Sequence, residues 1–117
     1  MDWEPISRAD MDELIAKELF DVTSEDRALF ARAGVTPTKW QLSPWGDPGG
    51  GFWVVAVVED RVLWYNDIEE GFNVSCFTTR GTIPSTEYWC NQDELRWALP
   101  ALAGKPQEKA GPPEPLT

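Results

Sequence analysis

Seven consecutive apolar residues, FWVVAVV at 52–58, leave the chain little choice at its centre. A run this short, rich in valine and aromatic residues, suits a strand buried on both faces. Strand-like segments follow at 62–66, 72–79 and 86–90, separated by turn-forming stretches at Glu59–Arg61, Asp67–Gly71 and Gly81–Ser85. Short strands joined by short turns form an antiparallel meander. TKWQL at 38–42 reads as a further short strand, and the loop SPWGDPGGG (43–51) that follows it reads as a flexible connector.

Pairing the hairpins by loop length assigns the faces. One face collects Phe52, Val54, Ala56, Val58, Val62, Trp64, Phe72, Val74, Cys76, Tyr88 and Cys90. The other collects Trp53, Val55, Val57, Leu63, Tyr65, Phe77 and Trp89, diluted by Asn73 and Ser75. A sheet with one wet face alternates apolar and polar residues, whereas this one is apolar on both. Either helices divide between the faces, or one face is covered by the segment 35–51 or by another chain.

The helices come from a different period. In SRADMDELIAKELF (7–20), Ser7 is placed to cap, and Met11, Leu14, Ile15 and Leu19 form one apolar stripe. In TSEDRALFARAG (23–34), Thr23 caps, Leu29, Phe30 and Ala33 face inward, and Gly34 is placed to end the helix. Asn91 and Glu94 make a third capping pattern before a short helix that Pro100 limits. The expected fold is α+β: two N-terminal helices, an antiparallel meander of four to five strands and a short C-terminal helix. Residues 1–103 form this single domain, and the Pro-rich tail 104–117 is expected to be disordered.

Composition removes several chemistries. With no histidine, the usual general base, the commonest metal ligand and every Ser-His or Cys-His nucleophile are missing. Two cysteines fourteen positions apart do not build a zinc site. The register sets Cys76 opposite Cys90, where two buried structural thiols are the expectation. GDPGGG (46–51) lacks the Lys and Ser or Thr of a phosphate loop and precedes a strand. No cofactor is expected. Twenty acids against ten bases, a net charge of −10, disfavour nucleic acid and anionic membrane as partners. The first ten residues lack the basic start and apolar run of a signal peptide, and 52–58 is too short to cross a bilayer. A cytoplasmic protein with reduced thiols is the expectation.

The candidate site is therefore a surface. Asp67, Glu69 and Glu70 at a hairpin tip do not follow the calcium-loop spacing and read as a solvated turn, with Gly71 at positive φ and Ile68 folding back onto the sheet. Trp53, Tyr65, Phe77 and Trp89 share a face in the assigned register, rimmed by Asp67, Glu69, Glu70 and Glu87. Such a surface suits a basic protein partner, and the same face would serve a homodimer. By compositional analogy, small acidic chains without catalytic residues are like bacterial immunity or antitoxin-type inhibitors, which neutralise basic enzymes by charge complementarity. A sugar or other small molecule stacked on Trp53, Tyr65 and Trp89 is the alternative.

Overall fold

A computed structural model describes residues 3–112. Two helices, α1 (Arg8–Glu18) and α2 (Ser24–Ala33), lead into four strands, β1 (Gly34–Trp40), β2 (Phe52–Val58), β3 (Arg61–Asn66) and β4 (Gly71–Cys76), and then α3 (Leu95–Leu102). The sheet is an antiparallel meander in chain order, so β2 and β3 are its central neighbours. The α+β class read from the sequence is the observed one.

Local chemistry explains the first two helices. The Ser7 hydroxyl accepts from the Asp10 N–H and the Thr23 hydroxyl from the Asp26 N–H, each at 3.1 Å. Each bond satisfies one of the orphan donors of a first helical turn. Met11 and Ile15 are buried, and Leu14, Leu19, Leu29, Phe30 and Ala33 pack beside them. Gly34 differs from its expected role. Its backbone is extended, so α2 runs straight into β1.

Two registers also differ from expectation. Tyr65 pairs with Phe72 and Leu63 with Val74, which moves Phe72 and Val74 to the Trp53 side. The loop turns one residue earlier than assumed: Glu70 takes the positive φ of 60°, and Gly71 already pairs with Asn66. In β2 a bulge between Val54 and Ala56 sets Ala56 against Leu63 and Val57 against Val62, exchanging the faces of the strand's second half.

All three helices pack against one face, burying Met11, Ile15, Leu95 and Leu99 with Val55, Leu63 and Phe72. The opposite face carries Trp40, Phe52, Val54, Val62 and Trp64, packed with Leu42, Ile83 and Tyr88. Loops cover it. Trp45 stacks flat on Tyr88, with ring centroids 4.0 Å apart and planes within 2°. The connector 43–51, expected to be flexible, thus contributes an ordered cover, including a short 3-10 turn at Asp47–Gly49.

The fifth strand expected at 86–90 is absent. Ser85–Glu87 form a 3-10 turn, and the chain then runs irregularly past the outer edge of β4, joined to it by a bridge between Phe72 and Asp93. Of the tail, residues 105–112 run beside this irregular segment, bonded to it by the Cys90 N–H and the Asn91 side chain. Residues 113–117, the rest of the expected disordered tail, lie outside the described residues. Among the described residues no helix is long and apolar enough to cross a membrane.

Candidate functional site

The edge of β4 brings the most unusual polar groups together. Gly71 opens that strand, and a Cβ there would sit 2.1 Å from the Asn91 carbonyl oxygen. Only glycine lets the 91–93 segment approach so closely. Beside it, the buried Asn73 side chain behaves as a strand backbone. Its Oδ1 accepts from the Asn91 N–H at 3.0 Å, and its Nδ2 donates to the Asn91 carbonyl at 3.1 Å and the Gly71 carbonyl at 3.2 Å.

Asn91 repeats the device one layer out. Its Nδ2 donates to the Glu108 carbonyl at 2.9 Å, and its Oδ1 accepts from the Ala110 N–H at 2.6 Å. The Cys90 N–H donates to the Ala110 carbonyl at 2.6 Å. The tail is thus held through its own main-chain groups at Glu108 and Ala110, without forming a regular strand. Side-chain contacts flank this pairing. The Lys109 ammonium lies 5.1 Å from the centroid of the Trp89 ring, and Gln107 Nε2 donates to Asp93 Oδ2 at 2.9 Å. The Glu87 carboxylate fixes the base of the arrangement, accepting from the Cys76 N–H at 2.8 Å and the Trp89 indole at 3.5 Å. A cavity of about 620 Å³ opens beside the tail, walled by Cys90, Asn91, Asp93, Trp97, Gln107 and Lys109 among others.

The candidate residues read from the sequence do not form one surface. Trp89 and Glu87 meet at this edge. Trp53 and Tyr65 are cross-strand neighbours on the helix side of the sheet. Phe77 packs edge-on to Trp40, centroids 5.0 Å apart, with the opposite cluster. The shared aromatic face is therefore corrected: the shift of β4 and the loss of the fifth strand disperse its members. The Trp53–Tyr65–Trp89 stacking floor goes with it.

Trp53 and Asp67 instead hold the chain's own N-terminal segment. The Trp53 indole donates to the Ile6 carbonyl at 2.7 Å, and the Ile6 N–H donates to Asp67 Oδ2 at 2.8 Å. Asp67 Oδ1 and the Trp3 indole N–H are buried without a hydrogen-bond partner among the described residues. Burial holds the Asp67 carboxyl above the usual carboxylate range, against the opposing pull of the Ile6 bond and the Lys39 charge. Burial likewise pushes the Tyr65 phenol up to about 12.

The hairpin tip is organised by Asn66. Its Oδ1 accepts from the Ile68 and Glu69 N–H groups, and its Nδ2 donates to the Trp89 carbonyl. Ile68 folds against the Trp64 cluster, as the sequence suggested. Glu69 is half-buried and Glu70 is exposed. Among the described residues no group of three or more His, Cys, Asp or Glu is placed to hold a metal ion. Cys76 and Cys90 are free thiols. Cys76 pairs with Arg61 on β3 and is exposed, so the expected buried cysteine pair is corrected as well.

Asn73, Asn91, Asp93, Trp97 and Lys109 were missed as site residues. Asn73 did leave a trace, as a polar residue interrupting an apolar strand. No family model, curated protein or solved structure matches this chain.

Proposed function

We propose that this protein is a small, non-catalytic interaction domain that engages a basic protein partner, in the manner of an immunity or antitoxin-like inhibitor. The observation that carries the reading is uncompensated charge. Twenty acids face ten bases, yet the described residues form three ion pairs: Arg8–Asp12, Arg61–Asp60 and Arg96–Glu94. Some acids work inside the fold, among them Glu18, Asp67, Glu87 and Asp93 as hydrogen-bond acceptors. Others, including Glu4, Asp10, Glu13, Asp21, Glu25 and Glu70, stand in solvent. Phe20 and Trp97, 84% and 59% exposed, add large apolar side chains to this surface. Aromatic anchors within a charged rim are what protein partners use.

The test is affinity capture with the purified full chain, identification of the retained protein by mass spectrometry, and titration of that protein at rising salt. A basic partner whose affinity falls steeply with ionic strength is expected, because screening weakens charge-steered association. Retention only of neutral or acidic proteins, or salt-independent binding, counts against the proposal.

A further inference from the structure

We propose that the edge formed by Trp89–Asp93 is a peptide-docking site for an extended, lysine-bearing segment of a partner protein, and that the tail 107–111 is its displaceable occupant in cis. This rests on the interaction reading above and names its surface and ligand. The tail displays the chemistry that the edge accepts. Glu108 and Ala110 are held through their main-chain groups by Asn91 and Cys90, so the edge grips backbone whatever the side chains. Selectivity comes from the flanks. The Trp89 face receives the Lys109 ammonium, and Asp93 receives a donor from the residue two positions earlier.

The tail fills this site incompletely. Its residues 108–112 are exposed, and the cavity of about 620 Å³ between the tail and Trp97 stays open. Gln107 gives Asp93 a neutral donor where a cation would make a stronger, charge-assisted bond. A better ligand therefore carries Arg or Lys in the Gln107 position, Lys in the Lys109 position, a small residue after it, and an apolar side chain directed at Trp97. That is a segment of a basic protein.

The test uses the full chain with its tail released by Lys109→Glu and Ala110→Pro, which oppose the Trp89 contact and remove the donor to Asn91. A synthetic peptide of residues 105–112 is titrated into it while the Cys90 and Asn91 amides and the Trp89 indole are followed by nuclear magnetic resonance. Saturable shifts at these groups are expected, with affinity on the order of tenfold tighter than for the wild type, whose own tail competes at high effective concentration. Replacing the peptide's lysine by glutamine is expected to weaken binding about two- to fivefold. Changing its Gln107 equivalent to arginine is expected to tighten it. Adding Trp89→Leu to the released chain should abolish the indole signal and reduce affinity, and adding Asp93→Asn should erase the gain from arginine while leaving the fold intact.

Absence of saturable shifts in the released chain overturns the proposal, as does equal affinity for released and wild-type protein. Concentration-dependent doubling of the wild-type mass, lost on tail release, also overturns it and assigns the edge to a second copy's tail. A salt-sensitive basic partner whose binding is unchanged by Trp89→Leu and by tail release would leave the broader function standing and remove this site. Peptide binding as expected, without any charge-steered partner, would do the reverse.

Discussion

Asp67 and Glu18 are both acids that the fold uses as acceptors, and both are held above the usual carboxylate range by burial. A carboxyl raised in the folded state binds its proton more tightly there than in the unfolded chain. Its stabilising effect is complete below the ordinary value and is lost as pH climbs through the raised one. At neutral pH, ionised Asp67 is therefore a burden on the fold. Asp67→Asn keeps an acceptor for the Ile6 N–H and removes the charge. Thermal unfolding across pH 4–7 should find the variant at least as stable as wild type at pH 7, with its advantage shrinking toward pH 4. A constant deficit at every pH would count against this account. Glu18 plays a second role, because its Oε1 accepts from the Leu95 N–H at 2.6 Å and so caps α3 from α1. Glu18→Ala should cost about 1–2 kcal/mol in denaturant unfolding, the loss typical of a missing cap, with Glu18→Gln retaining most of it.

At the scale of elements, the β4 edge depends on an amide imitating a strand. Asn73→Ala leaves the Asn91 N–H and carbonyl without partners in a buried setting, and should cost about 2–4 kcal/mol. Asn73→Asp puts a carboxylate against the Gly71 and Asn91 carbonyls in a buried setting, so at neutral pH it should cost at least as much as Asn73→Ala, with the deficit shrinking as pH falls. If Asn73→Ala unfolds at the same denaturant concentration as wild type, the edge is not a structural unit. The loop cover makes a similar demand. Trp45 ties the 43–51 connector to Tyr88, and Trp45→Ala should cost about 2–3 kcal/mol, below the full value because the ring is only half-buried. Hydrogen exchange in that variant should accelerate on the Phe52–Trp64 face before it does so on the helix face.

The molecule carries a net charge of −10, which the three ion pairs among the described residues do not balance. Raising sodium chloride from about 10 mM to 500 mM shortens the Debye length from roughly 30 Å to below 8 Å. Repulsion among exposed acids is then screened more than attraction is, so the melting temperature should rise with salt while affinity for a basic partner falls. Opposite signs for the two responses are the expected outcome by calorimetry and binding titration. A melting temperature that falls with salt would show that ion pairs contribute more than repulsion does.

Period and capping chemistry are local, and the sequence alone determined what depends on them. Ser7 and Thr23 start their helices because a hydroxyl reaches its own first turn, and 52–58 and 62–66 pair at the centre because both are apolar segments joined by a short turn. The α+β class follows from those elements. Register and coverage belong to the tertiary structure. One residue of turn geometry, Glu70 rather than Gly71 at positive φ, exchanged the faces of Phe72 and Val74, since strand side chains alternate with period two. The bulge at Val54–Ala56 did the same within β2. The β4 edge was least legible, because Asn73, Asn91 and Ala110 lie far apart in the chain. Their pairing joins the Asn73 and Asn91 side-chain amides to main-chain groups that every residue shares, so the pattern marks only half of each bond, with Asn73 as a polar interruption of an apolar strand.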